Sequence, residues 1–395
     1  MITKSNKAAT YLAAGGLLIL WMLLSLASYR LLVVPRQRQF DFYPRWVGAR
    51  AVLAGENPYS PQVDARIQQG IFGRRQASDE VVQEFVYSAT ITWLLLPFWI
   101  LPFPLAVSLW CGLQLLLLLI CPLLVMALLK WKLPPLSFFI LLLFSVFLFR
   151  YPVNAYVLGQ FIAWVLACTV IAWWGMANEN PAVSILGMAG MLVRPEVVIA
   201  PIGALLIHNW KEKGRTVLIG WAGVVVALWL LTRLWIGPWE LDFLNEIDAY
   251  RGYSFISWLP VSLGNIWVGS LLTLCVLAWG AWMWWRLRSL PEGERLPWEI
   301  AVSVLVTLLV SPQPNTYTLT LALIPIWVGL WSSRGRPVDW LPFLVVLISP
   351  WGFYLLRDSL PFALERHLIP FAVGVLLTLQ WRRRLSGIQE RPRQA

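Results

Sequence analysis

Apolar residues run along the chain in long blocks separated by short polar breaks. The blocks fall near 11–34, 86–101, 104–129, 133–150, 159–177, 181–194, 195–210, 215–237, 263–285, 297–310, 317–333, 338–352 and 366–381. A bilayer-crossing helix needs about 20 predominantly apolar residues. The pattern therefore predicts an all-α polytopic membrane protein, a single integral-membrane domain over 1–395. The first block follows Lys4 and Lys7. It exceeds the roughly 7–15-residue apolar core of a signal peptide, so it is expected to be an uncleaved anchor with a cytoplasmic N-terminus. Block 86–101 contains Pro97 and precedes Pro102 and Pro104, which predicts a broken, re-entrant segment. Blocks 181–194 and 195–210 are read as short spans meeting at Pro195. The expected architecture is then about 12 spans, one re-entrant segment and surface helices on the outer face.

Charge orients the blocks. Basic connectors occur at Lys130/Lys132, Lys211/Lys213/Arg215, Arg286/Arg288/Arg295 and Arg334/Arg336, and Arg382, Arg383 and Arg384 lie near the C-terminus. All can be cytoplasmic together, as the positive-inside rule prefers. This arrangement puts both termini in the cytoplasm of a multi-pass plasma-membrane protein. It leaves 35–85 and 238–262 as the first and second outer loops. Residues 150–160 and 311–317 are expected to be further non-helical outer stretches, joined by 352–365 and the Arg194-Pro195-Glu196 junction.

Composition narrows the function classes. The chain is 59% hydrophobic and only 13% charged, against roughly a quarter charged in a soluble domain. The formal charge of +11 is spread between apolar blocks, where topology and anionic lipid explain it and nucleic acid does not. The 26 Trp suit membrane interfaces, and flat aromatic faces also suit sugars. The four cysteines all fall inside apolar blocks without a CxxC pair, and read as small buried hydrophobes. There is no P-loop, GxGxxG, HExxH or nucleophile elbow.

The outer stretches hold the candidate chemistry. Asp41 lies just past the first block, bracketed by Phe40, Phe42 and Tyr43. It is either a general base or an interfacial partner of Arg45 or Arg38. Residues 43–54 read as an amphipathic helix on the membrane with Arg45 and Arg50 opposite the apolar face, capped by Gly55 and followed by an Asn57-Pro58 turn. Arg194 sits between apolar segments, where it would bind a lipid phosphate or pair internally with Glu196. Gln160, opening a block after Gly159, could hold a sugar hydroxyl or cap its helix. Residues 311–317 form a Pro-broken insertion of the kind that lines cavities. Residues 239–254 suggest a second surface helix with Glu240, Asp242, Glu246 and Asp248. The Glu240/Asp242 pair is read as a solvated acidic face, so no metal is expected. His208 reads as structural, and His367 as either structural or a phosphate contact.

Asp41-Phe42-Tyr43 followed by Ala49-Arg50-Ala51-Val52-Leu53-Ala54-Gly55-Glu56-Asn57-Pro58-Tyr59 resembles the opening of glycosyltransferase family 87, a family of GT-C integral-membrane enzymes. Tyr87 with the Leu- and Pro-rich 94–104, Gly159-Gln160, Arg194-Pro195 and Ser311-Pro312 match later motifs in order. The chain differs from the family in reading Tyr87-Ser88-Ala89 for "YPP", and in lacking the His pair after Ser311-Pro312. The resemblance implies a GT-C fold and inverting transfer of a sugar, with mannose expected, from a polyprenyl-phosphate donor to a lipid or glycan acceptor on the extracytoplasmic face. It implies Asp41 as general base, with Arg194, Gln160, Tyr43, Arg45, Asn315, Tyr317 and His367 at donor phosphate or sugar. It implies Asp242, Glu246 and Trp258 at the acceptor or a lid, and no cofactor. Membrane lipids would surround the protein, and no protein partner is indicated. The rival readings are a lipid or glycan transporter or flippase, and a catalytically silent scaffold of glycan assembly.

Overall fold

The structure, a computed structural model, describes residues 4–77, 80, 83–208, 214–250, 259–312, 315–333, 337–356 and 364–389. It is 82% helix, with no strand among the described residues. The principal helices begin with α1 (Lys4–Ser28), α2 (Phe42–Leu53), α3 (Pro61–Phe72), α4 (Ile91–Leu94), α5 (Leu96–Trp99) and α6 (Phe103–Leu128). There follow α7 (Pro135–Leu142), α8 (Arg150–Leu158), α9 (Ile162–Ala177), α10 (Pro181–Met191), α11 (Ile199–His208), α12 (Arg215–Ile236) and α13 (Glu240–Ala249). The last are α14 (Ile266–Leu287), α15 (Glu292–Val310), α16 (Leu323–Ser332), α17 (Pro337–Leu355) and α18 (Leu364–Gln389).

Among the described residues, five helical stretches are long and apolar enough to cross a membrane: Ala9–Arg36, Phe103–Leu128, Arg215–Ile236, Ile266–Leu287 and Val338–Leu355. A sixth arises if Pro135–Leu148 and Arg150–Leu158, bent by 52°, form one broken span. The bend falls at Phe149, whose backbone is extended. Pro152 follows in the first turn of α8, where its missing N–H costs no helical bond. Shorter apolar helices lie at Ile162–Ala177, Pro181–Met191, Ile199–His208 and Thr316–Ser332. Leu12, Ile219 and Leu234 are 78%, 71% and 84% exposed on the long helices. Apolar faces turned outward on this scale fit a lipid surround, and the chain is consistent with a membrane protein.

Three expectations change. Residues 43–54 are helical but not a surface helix: α2 is buried on nearly every side, and Arg45 is only 5% exposed. Aromatic neighbours enclose it. Phe42 stacks on Trp99 and Trp110 at 5.2 and 5.7 Å, and Gly48 lies so close to Phe85 that a Cβ would meet its ring at 2.2 Å. Residues 150–160 are not irregular, because α8 runs through Arg150–Leu158 and ends at Gly159 with φ +69°. Helix α17 extends to Leu355, into the stretch 352–365 expected to be non-helical. The broken character of 86–101 appears as α4 and α5, four residues each, with Pro97 in the first turn of α5.

The chain divides into two compact units, one of residues 1–120, 156–161 and 226–250, the other of 121–155, 162–225 and 251–395. Within the second, α9 and α10 approach through small residues. A Cβ on Gly187 would lie 2.5 Å from the Ala172 nitrogen, and one on Gly175 2.5 Å from that of Ser184.

Candidate active site

In the first unit the site is built around Gln160. The chain leaving α1 is pinned to the end of α8: Arg36 Nη1 donates to the Val157 carbonyl at 2.8 Å, and the Asp41 N–H to the Leu158 carbonyl at 3.1 Å. Gly159 turns with positive φ, in close quarters where a Cβ would meet that of Phe42 at 3.2 Å, and delivers Gln160 to a fully buried position. The Gln160 amide donates from Nε2 to Asp41 Oδ2 and accepts at Oε1 from Arg45 Nη2 at 2.8 Å. A carboxylate on one side and a guanidinium on the other admit only this amide orientation. Trp110 Nε1 donates to the Gly159 carbonyl at 3.1 Å. The Gln114 amide, oriented to satisfy both its groups, donates to the Gln160 carbonyl at 2.7 Å.

The Arg45 guanidinium lies over the Tyr87 and Phe161 rings, 4.6 and 4.8 Å from their centroids. Cation–π contacts of this kind are favourable at desolvated sites. Its Nε and Nη1 have no hydrogen-bond partner among the described residues. Two buried donors are thus left for a ligand oxygen, beside a partly exposed carboxylate that can accept a proton. Tyr43, the other residue of this group, faces Phe103 edge-on at 4.9 Å and closes against Gly70, rather than joining the Gln160 hydrogen bonds.

Helix α13 docks in the same unit. Asn57 Nδ2 donates to Asp242 Oδ2 at 2.6 Å, and the Tyr59 ring lies 6.3 Å from Trp239 and 5.7 Å from Phe243. The Tyr59 hydroxyl donates to the Tyr87 carbonyl at 2.7 Å. Glu246 is hydrogen-bonded to Glu84, with Asp64 nearby. Burial, reinforced by Glu84 and then Asp64, pushes the Glu246 carboxyl up to about 8. Burial and then Glu84 push Asp64 up to about 7. Tyr59 is raised too, by burial first. Both carboxyls bind protons more tightly in the folded chain than in the unfolded one, where they titrate near 4. The contribution of these two carboxyls to stability is therefore fully present below about pH 4 and is lost as pH rises through 7 and 8. Thermal unfolding between about pH 5 and 9 should show the wild-type midpoint falling with pH and a shallower slope for Glu246→Gln. Parallel slopes would remove Glu246 from this account.

In the second unit the structure brings together Arg194, Asn315 and Tyr317. Arg194 is 3% exposed, pairs with Glu196 at 2.6 Å and lies over the Tyr317 ring at 5.5 Å. Asn315 Nδ2 donates to the Tyr317 hydroxyl at 2.9 Å, and Asn154 Nδ2 to Thr316 Oγ1 at 3.2 Å. Buried Arg366 interacts electrostatically with Glu365, Tyr317 and Tyr151. His367 instead contacts Ser262 at 3.1 Å. The internal pair considered for Arg194 is thus formed, and a phosphate role would have to share the guanidinium with Glu196. Arg194→Ala should cost about 2 kcal/mol, less than for a fully buried pair because Glu196 is 26% exposed. Glu196→Gln should restore part of that loss, as melting of the single and double variants would show. An unchanged melting point for Arg194→Ala would remove the pair as a structural element.

Trp258 lies outside the described residues. His208 pairs with Glu299 at 2.5 Å in a buried, structural contact. The sequence reading missed Asp64, Glu84, Tyr151 and Arg366. Asp64 and Glu84 meet Glu246 only through the fold, as Tyr151 and Arg366 meet each other and Tyr317, and nothing in the local sequence marks them. Among the described residues no group of three or more His, Cys, Asp or Glu side chains could hold a metal ion. Comparison with protein-family models, curated proteins and solved structures finds no match.

Proposed function

We propose that the chain is a membrane glycosyltransferase of the GT-C class, similar to family 87, that moves a sugar from a polyprenyl-phosphate donor to a lipid or glycan acceptor. The reading takes the shorter apolar helices as partial spans, giving about 12 in all. It places both termini in the cytoplasm and the chemistry at the outer face of the plasma membrane. The observation that supports it is the Arg45–Gln160–Asp41 chain, three residues that the family resemblance names separately and that share one hydrogen-bonded cluster.

The reaction needs a base, a held donor and a leaving phosphate. Asp41 takes the proton of the acceptor hydroxyl as that oxygen attacks the anomeric carbon. The bond from the anomeric carbon to the phosphate oxygen breaks, and its electron pair leaves with the polyprenyl phosphate. Attack opposite the leaving group inverts the centre, so a β-linked donor yields an α-linked product. Gln160 fixes the carboxylate's rotamer, and Arg45 fixes Gln160.

Proteoliposomes holding the purified protein, labelled polyprenyl-phosphate mannose and a panel of glycolipid acceptors test the reading. Label appearing on an acceptor is expected. Donor movement between leaflets without transfer would replace the enzyme by a flippase, and neither outcome would leave the scaffold reading standing in its place.

A further inference from the structure

Where the first apolar helix ends, its last turns, the start of α2 and the loop at 100–104 enclose a cavity of about 730 Å³. Among the described residues its lining includes Arg38 and Arg50 and no carboxylate. Arg38 lies over the Tyr43 ring at 5.6 Å, and Arg50 over Trp46 at 4.8 Å. Their hydrogen bonds go to backbone carbonyls, those of Gly70 at 3.5 Å and Trp99 at 3.3 Å, and neither pairs with an acid among the described residues. Two exposed cations lie over aromatic rings, and among the described residues no counter-charge lines their chamber.

A second hollow, of about 440 Å³, shares Tyr29, Pro102 and Pro104 with the first. It continues between α1 and α6 along Met22, Leu26, Leu105 and Leu109, and its walls are almost wholly apolar. From Tyr29 back to Met22 the helix descends about 10 Å. Met22, Leu26 and Leu105 are 48%, 56% and 48% exposed, so the groove opens sideways along a helix long enough to span a bilayer. The cationic chamber thus sits at the end of the span, and the apolar groove leads from it toward the depth where hydrocarbon lies.

The geometry points to a site for an anionic membrane lipid, its phosphate held by Arg38 and Arg50 and the first part of its tail lying along Met22, Leu26, Leu105 and Leu109. The charge pattern selects against a zwitterion: a chamber with two cations and no acid repels the ammonium of a choline headgroup. The groove selects against a free phosphate, which would leave its apolar walls uncovered. The site holds whether or not the chain transfers sugars.

Native mass spectrometry of the purified full-length protein in detergent, titrated with phosphatidylglycerol or phosphatidylcholine, tests this. The wild type should retain phosphatidylglycerol at least ~10-fold better, and Arg38→Gln with Arg50→Gln should reduce the preference to about 2-fold or less. Glycerophosphoglycerol, the same headgroup without tails, should not displace the bound lipid. Equal retention of the two lipids by the wild type would overturn the proposal. So would an unchanged preference in the double variant, or full displacement by the tailless headgroup, which would mark a soluble-anion site. If the double variant fails to fold, Arg38→Gln alone decides: its exposed side chain makes a single long hydrogen bond, and the preference should still fall several-fold, an unchanged value being the contrary result.

Discussion

Asp41→Asn is expected to lower sugar transfer at least ~100-fold while leaving expression and donor binding near wild type. The amide is almost isosteric with the carboxylate but cannot take a proton from the acceptor hydroxyl. The Asp41 backbone contact to the Leu158 carbonyl survives the change, so the local fold should persist. Only the acceptance from Gln160 is weakened, and an asparagine oxygen can still receive that N–H. Initial rates at saturating donor, alongside donor affinity, separate a chemical defect from a binding one. Turnover within a few-fold of wild type would take the base role away from Asp41.

Gln160→Leu, which keeps a bulky side chain but removes its hydrogen-bonding groups, should destabilise the protein by about 3 kcal/mol or more. The substitution removes the one hydrogen bond that the Arg45 guanidinium makes among the described residues and leaves that cation against Tyr87 and Phe161 in a buried position. Stranding a buried charge costs more than losing a neutral hydrogen bond. Adding Arg45→Met to Gln160→Leu should therefore recover part of the loss, a non-additivity that a double-mutant cycle reads directly. The alternative role for Gln160, capping its helix, forecasts a loss near 1 kcal/mol and no rescue by Arg45→Met. Melting of the three variants distinguishes the two roles.

Much of the helical layout was legible because unbroken apolar runs and prolines act locally. The ends of α6, α12 and α14 fall close to the block boundaries, and Pro97 and Pro195 mark interruptions that the chain does contain. Burial of α2 was not legible. Arg45 and Arg50 read as a polar face, whereas Arg45 is buried against the rings of Tyr87 and Phe161, each more than 35 positions away in sequence. The candidate residues Asp41, Arg45 and Gln160 could each be named from their local setting. Their joining could not, since Gln160 reaches Asp41 across 119 positions and Arg45 across 115. The carboxyls of Asp64 and Glu84 were invisible for the same reason: each lies in an ordinary polar stretch, and only the docking of α13 brings Glu246 against them.

The central claim is an inverting transfer with Asp41 as the base, and the anomeric configuration of the product tests it most directly. The purified protein would be given β-linked polyprenyl-phosphate mannose labelled at the anomeric carbon, with a panel of glycolipid acceptors, and the product's anomeric coupling read by NMR. An α-linked product, formed by the wild type and lost in Asp41→Asn, is the predicted result. A β-linked product, or no labelled acceptor from any member of the panel, would contradict it.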